Sequence, residues 1–354
     1  MWRMVKLGDV CLVRRGTTIT KNQTTDGNVP VIGGGTKPTY YHNEANRAPN
    51  CITVSGSGAS AGFVNKWNGK IFASDCSTVE PKDDNQLHQF IYYYLLSQQQ
   101  FIYENFRSGA AQPHVYAKDI AKLEFPIVPL AEQQRIVAKL DAAFAEIDRA
   151  IEITKAKEAE VERLLNETIR KIFSPNRSNI KRSFSDICIL QRGFDLPNHA
   201  RQPGIYPLYS ANGITDYIST YKVKAPAVIT GRSGTIGQVH YSNDDIWPLN
   251  TALYVKDFQG NFPKYIYYFL KSFNLKKYAS GAGVPTLNRN VLSDEPAYVL
   301  EEVSEQKSAS VKLDGISEWC NKLRLLMQSR KRALVDLKSS ILAQELLPPQ
   351  SEAV

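Results

Sequence analysis

The chain repeats itself over almost its whole length, and that constrains the fold more than any other feature of it. Leu7-Gly-Asp-Val-Cys-Leu-Val-Arg-Arg-Gly16 returns as Phe184-Ser-Asp-Ile-Cys-Ile-Leu-Gln-Arg-Gly193, offset by 177. Ala48-Pro49 returns as Ala225-Pro226 at the same offset. Gln89-Phe-Ile-Tyr-Tyr-Tyr-Leu-Leu-Ser97 returns as Lys264-Tyr-Ile-Tyr-Tyr-Phe-Leu-Lys-Ser272, offset by 175. Ser108-Gly-Ala-Ala-Gln-Pro113 returns as Ser280-Gly-Ala-Gly-Val-Pro285 at 172, and Glu132-Gln133 as Glu305-Gln306 at 173. Matched blocks in the same order, drifting only by small indels that loops absorb, mark a duplication.

Each copy has two parts. The first, 1–125 and again 180–298, is rich in Gly, Asn, Ser, Tyr and β-branched residues. Cys51-Ile-Thr-Val54, Gly62-Phe-Val64 and Ala227-Val-Ile-Thr230 read as short strands between glycine turns. His88 to Tyr103 reads as one aromatic-rich helix. Each globular part is therefore expected to mix α and β structure. The second part is helical: 126–179 holds the first long helix and a linker, and 299–347 the second. A tail, 348–354, follows Leu347-Pro-Pro. From Leu130 to Phe173 there is neither Gly nor Pro, which allows a helix of about 66 Å. The second helix has one interruption, Gly315.

The apolar spacing of these segments is a heptad. Leu313, Ile316, Cys320, Leu323, Met327, Arg330, Leu334, Leu337 and Ile341 step by three and four. Leu140, Ala143, Ile147, Ala150, Thr154, Lys157, Val161, Leu164 and Thr168 hold the same register in the first helix, and Phe144, Ile151, Leu165 and Ile172 widen its stripe. Sustained heptads predict a coiled coil. Lys157 and Arg330 fall mid-seam. They read either as side chains that snorkel past it or as a register-setting polar pair. The fold class expected is α+β: two mixed α/β domains joined by two long helices in an antiparallel coiled coil, with pseudo-two-fold internal symmetry.

Composition supports real cores, at 43% hydrophobic and 22% charged residues. The net charge of +8 suits a polyanionic partner. Cys11, Cys51, Cys76, Cys188 and Cys320 stand far apart with no CxxC, so neither a zinc ribbon nor a redox dithiol is indicated. The start lacks an apolar leader and no run of about 18 apolar residues occurs. A reducing cytoplasm and no membrane are expected.

Catalytic motifs are missing. There is no methyltransferase cofactor loop or Asn/Asp-Pro-Pro-aromatic motif, no P-loop, no HExxH and no GxSxG. The five histidines (His42, His88, His114, His199 and His240) form no metal-ligand spacing. Asp75 with Glu80-Pro-Lys82 faintly suggests a nuclease fragment, but the second copy reads Tyr254-Val-Lys256 there. No catalytic residue, no bound cofactor and no metal are expected.

The glycine loops are more informative. Gly33-Gly-Gly35 and Ser55–Gly62 correspond to Ser210–Gly213 and Gly231–Gly237: glycines persist while the tips change. Such a scaffold suits a reader of two different sequences. The tips offer Lys21, Asn22, Gln23, Lys37, Tyr40, Ser57, Arg107, Gln112 and His114 in copy one. In copy two they offer Arg192, Asn212, Lys222, Lys224, Arg232, Ser233, Asn288 and Arg289. These side chains are donors and acceptors for base edges and phosphates, and it is the two sets, rather than any one member, that point to DNA.

Pro126-Ile-Val-Pro129-Leu-Ala-Glu-Gln133-Gln-Arg-Ile136-Val, leading into a long helix, resembles the start of the helical region of Type I restriction-modification specificity subunits. Ser108–Pro113 resembles the end of a target recognition domain of that family, and Leu7–Cys11 with Arg15-Gly16 its beginning. The second copy departs from the pattern: Val299-Leu-Glu-Glu-Val lacks the paired prolines, and Gln134-Arg135-Ile136 becomes Lys307-Ser308-Ala309. The resemblance implies that each domain reads one half of a split, asymmetric sequence in double-stranded DNA, with the helices as a ruler between halves. It implies two partner methyltransferase subunits, which use S-adenosylmethionine to methylate adenine, and motor-nuclease subunits for cleavage. On the residues alone, a non-catalytic protein-interaction scaffold without DNA readout is the alternative.

Overall fold

The computed structural model describes residues 2–109, 111–281 and 283–346. The tail 348–354, the Leu347-Pro-Pro stop, and Ala110 and Ala282 within the repeated Ser-Gly-Ala blocks lie outside them. The chain divides into two compact units, Met1–Ile153 with Ser329–Val354, and Thr154–Gln328. Each unit holds one globular domain and part of both long helices, rather than a domain with a helix of its own.

In the first unit a four-stranded antiparallel sheet runs in the order Cys11–Arg15, Cys76–Pro81, Cys51–Ser55, Val64–Trp67. Cys51–Ser55 is an interior strand and is buried throughout, which explains its continuous apolar and small composition. The expected strand at Gly62–Val64 begins only at Val64, because Gly62 turns the chain at φ +87°. A three-stranded sheet (Tyr40–His42, Val29–Ile32, Phe72–Ala73) stands beside it. The aromatic helix is two helices, His88–Ser97 and Gln99–Asn105, which meet at Gln98. Phe90, Tyr94 and Phe125 pack edge to face in the core. Arg3–Lys6 pairs with Glu124–Ile127, so the globular part closes at 127 rather than 125.

The second unit repeats this topology and adds a short antiparallel pair, Ala279–Ser280 with Thr286–Leu287. Its four-stranded sheet runs Ile189–Arg192, Ala252–Asp257, Ala227–Gly231, Val239–Ser242. Its three-stranded sheet runs Gly213–Ile218, Pro203–Ser210, Trp247–Pro248. Asn179–Ser183 pairs with Pro296–Leu300, closing the domain at 300. One glycine of the repeat has a steric cause in both copies. A Cβ on Gly16 would stand 2.1 Å from the Ser74 carbonyl oxygen, and one on Gly193 2.2 Å from that of Leu249.

The long helices run Leu130–Ile172 and Val303–Leu346. Within the first unit Lys139 pairs with Glu345 at 2.5 Å and Asp148 with Lys338 at 2.5 Å. Within the second, Glu162 faces Arg324 at 3.5 Å, and Leu165 and Ile169 pack with Leu313 and Cys320. As one partner's number rises the other's falls, so the helices are antiparallel.

One heptad column is as expected: Leu140, Ile147, Thr154 and Leu313 are buried, and Val161, Cys320, Met327, Leu334 and Ile341 half-buried. The other column lies one residue later than the apolar pattern suggested. On the first helix it is Phe144, Ile151, Glu158, Leu165 and Ile172. Leu164 is 48% exposed, whereas its neighbour Leu165 is 7% exposed. On the second helix Ile316 and Leu337 face solvent, at 40% and 46%, and Leu323 is half-buried. The facing column there is polar: Ser310, Ser317, Arg324, Lys331, Lys338 and Glu345. Lys338 lays its ammonium 4.8 Å from the Phe144 ring while reaching Asp148, which lets a lysine occupy a seam position. Lys157 and Arg330 are exposed and set no register.

The corrected seam makes a sharp prediction. Leu165→Ala should destabilise the fold by about 2–4 kcal/mol as a buried truncation, and Leu164→Ala by roughly 0.5 or less. Urea unfolding of the two variants checks it. Equal losses would put the seam back at Leu164.

Candidate nucleic-acid interface

Each domain is pinned to its helix by the glutamine of the repeated Glu-Gln pair. Gln133 is fully buried. Its Oε1 accepts from the Leu87 amide at 2.9 Å, and its Nε2 donates to the carbonyls of Asn85 and Val128, both at 2.8 Å. Gln306 does the same in the second unit, accepting from Phe262 N and donating to Leu300 O, both at 2.8 Å. A second pin is also duplicated. Tyr93 donates to Asp141 at 2.5 Å, and Tyr268 to Asp314 at 2.6 Å. Burial first, and then the neighbouring carboxylate, hold both phenols well above the usual tyrosine range.

On these rigid supports the glycine loops converge. In the first domain Gly58 N–H donates to Pro113 O at 2.9 Å, Gly56 N–H to Asp75 O at 3.0 Å, and Val115 N–H to Gly56 O at 3.0 Å. Ser55 Oγ donates to Gly35 O at 3.2 Å, which brings in the triple-glycine loop. Ser57 and His114 are thereby gathered around Asp75, while Gln112 lies exposed on the neighbouring loop. A small concavity of about 50 Å³ there is lined by Arg15, Asp75, His114 and Tyr116 among others. The His114 and Tyr116 rings stack at 12° and 6.1 Å, with Tyr116 exposed. Asp75, Arg15 and Tyr116 are the members that linear reading missed: they stand on strand ends and loops that only the fold joins.

The second domain has the same frame. Gly234 N–H donates to Pro285 O at 3.1 Å, Arg232 N–H to Thr251 O at 2.8 Å, and Leu287 N–H to Arg232 O at 2.8 Å. Gly58 and Gly234 both sit at positive φ, +76° and +79°, where the loop turns. Arg232 and Ser233 stand at the tip, with Asn288 beside Leu287. Arg192 pairs with Asp195 at 3.3 Å. Asp195 also accepts from the Asn250 amide, and the Asn250 carbonyl accepts from Arg232 Nη1 at 3.3 Å. Asp195 and Asn250 were not among the sequence candidates.

Several candidates have other duties. Arg107 donates to Ala61 O at 2.7 Å and to Ala59 O at 3.3 Å, and lies 3.9 Å over the Tyr103 ring, so it braces the loop from behind. Tyr40 donates its hydroxyl to Ile19 O, tethering the segment that carries Lys21 and Asn22. Asn288 caps a short turn by accepting from Asn290 N at 3.1 Å, and Arg289 donates to Leu190 O at 3.1 Å. Lys222 lies 5.2 Å over Trp247. Lys21, Asn22, Lys37, Asn212 and Lys224 are exposed on loops outside the converged cluster.

The nuclease fragment does not assemble. Asp75 and Glu80 stand at opposite ends of one strand, about 17 Å apart. Glu80 pairs with Arg14 at 2.5 Å, and Lys82 donates to Gly8 O at 2.6 Å. Among the described residues no group of three or more acids, histidines or cysteines could hold a metal, and no helix is long and apolar enough to cross a membrane. Burial raises the thiols of Cys11, Cys51 and Cys76 to about 12, as befits core residues.

Comparison with known proteins agrees with this architecture. No curated protein matches the chain. A solved structure titled for complex assembly and conformational transition of the type I R-M system is 16% identical, with a TM-score of 0.75, over 97% of each chain. The HsdS subunit from Thermoanaerobacter tengcongensis is 16% identical, with a TM-score of 0.51, over 98% of this chain and 96% of that one. A Type I system S subunit from M. genitalium is 18% identical over 98% and 96%, with a TM-score of 0.46. The family pattern described as Type I restriction modification DNA specificity domain matches residues 1–163 and 179–307, once in each copy. The chain belongs to that family of DNA sequence-recognition subunits.

Proposed function

We propose that this chain reads a two-part, asymmetric sequence in double-stranded DNA, one half with each globular domain, and that it acts in the cytoplasm. It directs two methyltransferase subunits, which use S-adenosylmethionine to methylate adenine, and motor-nuclease subunits to that sequence. The chain itself carries no catalytic group and binds no cofactor.

One observation supports this reading above the others. The two domains repeat the same three backbone hydrogen bonds of one loop frame, and differ in the side chains at its tip. A frame kept constant under varied polar tips serves two different readouts on one scaffold. The partner role has support of its own. On the last helix Val311, Trp319, Leu325 and Leu326 are all more than 60% exposed. Val311, Trp319 and Leu326 recur at eight and seven residues, on one side of the helix. Apolar surface of this kind on a charged helix suits a protein partner.

The test is co-expression with the methyltransferase subunit of the same system, with modified adenines mapped on host DNA by single-molecule sequencing. A split motif should appear only with this chain. Exchanging residues 1–127 for the matching segment of another specificity subunit should change one half and spare the other. A soluble complex that modifies no new motif would favour the scaffold reading.

A further inference from the structure

The loop frame carries different chemistry at the same places in the two copies. The matching hydrogen bonds set Gly56 against Arg232, Asp75 against Thr251, and the Ser57–His114 bridge against Ser233–Thr286. The first two exchanges are coupled by space. A Cβ on Gly56 would stand 2.8 Å from Asp75 Oδ1 and 3.1 Å from its carbonyl oxygen. A Cβ at 56 would therefore crowd the carboxylate at 75, which glycine leaves in place. In the second copy the matching pair is Arg232 and Thr251, whose carbonyl accepts from the Arg232 amide at 2.8 Å. One hydrogen-bonded pair of the loop tip thus carries an acid in one domain and a base in the other.

Asp75 is half-buried, and its Oδ2 accepts from Ser57 Oγ. Its Oδ1 accepts no hydrogen bond among the described residues. On a surface that meets DNA such an oxygen repels phosphate, and what it complements is an exocyclic amino group, that of cytosine being the usual partner of an acid in the major groove. Arg232 uses Nη1 on the Asn250 carbonyl, which leaves the rest of its fork to donate. A fork of two donors matches guanine O6 and N7.

We propose that Asp75 is a base-reading residue of one half-site, accepting from a cytosine amino group, and that Arg232 is its counterpart in the other, donating to guanine. The inference rests on the DNA-recognition reading above. It gives the nuclease-like aspartate a role in specificity.

The experiment compares Asp75→Asn and Arg232→Gln with the wild type, each co-expressed with the methyltransferase subunit, and maps the modified motif. Asparagine keeps an acceptor for Ser57 and removes the charge. D75N should relax or change one base pair in one half of the motif, with discrimination there falling about ten- to a hundred-fold, and R232Q one base pair in the other half. Thermal melting of each variant separates readout from folding. Competition with duplexes altered at the single position gives the same answer in vitro. A motif unchanged in both variants would overturn the proposal. So would a uniform loss of modification at every site by chains that melt as the wild type does, because it would make these residues scaffold. If the wild type specifies no motif, the recognition reading itself fails, and this proposal with it.

Discussion

Gln133→Ala should undock the first globular domain from its helix. The change removes one side chain but strands three backbone groups: the Leu87 amide and the carbonyls of Asn85 and Val128. All surround a residue with no exposure to solvent. Each buried group left unpaired costs about 1–3 kcal/mol, and the vacated space adds to that. The combined loss is about 4 kcal/mol, a large part of what holds any domain together. It should be local. Amide hydrogen exchange should accelerate by about a hundredfold or more through His88–Ser97, while Pro263–Ser272 in the second unit keeps its protection. Gln306→Ala should give the mirror result. Arg135, two residues away, makes an exposed pair with Glu132, and R135A should leave exchange unchanged. If Q133A exchanges as slowly as wild type, the pin is not structural.

The second large effect concerns length. If the paired helices measure the spacer, adding seven residues to both should lengthen the preferred spacer by about three base pairs, from roughly 10 Å of added helix. Seven residues bring the seam back to within about 20° of its original direction, whereas one turn of four rotates it by about 40°. The place matters as well. The Asp148–Lys338 and Lys139–Glu345 pairs show that Ala150 lies across from about residue 335. The insertions belong at Ala150 and about residue 335, because Leu323, its equivalent by sequence repeat, lies across from about 162. The modified motif of the insertion variant, read by sequencing, decides the matter. The original sites should lose modification, and the same half-sites with a longer gap should gain it. An unchanged gap would end the ruler idea.

How far the sequence alone reaches can be followed residue by residue. The duplication was plain because repeated blocks keep backbone roles: Gly16 and Gly193 recur where a Cβ would strike a carbonyl, and Gln133 and Gln306 where a buried amide must pair. The same logic exposed the two domains and the two helices. It failed at the seam's second column, because hydrophobic periodicity selects apolar residues. On the last helix the facing positions are Ser310, Ser317, Arg324, Lys331, Lys338 and Glu345, and the apolar neighbours Ile316 and Leu337 point outward. It failed again at the interface. Side-chain type offered Arg107 and Tyr40 as DNA contacts, yet both fasten loops from within. Asp75, read along the chain beside Glu80 and Lys82, offered no more than a solvated turn with a faint likeness to a nuclease fragment. Only the meeting of loops distant in sequence sets it beside Ser57 and His114.

The charged column on the last helix also guards against slippage. Move one helix along the other by a heptad in one direction and Glu345 leaves Lys139 to face Glu146; move it the other way and it faces Glu132. Either step replaces an attraction with a repulsion, small for one exposed pair but of the same sign both ways. The seam therefore works as a keyed scale: its graduations are heptads, and the mark on either side of the correct one is slightly disfavoured for the same glutamate.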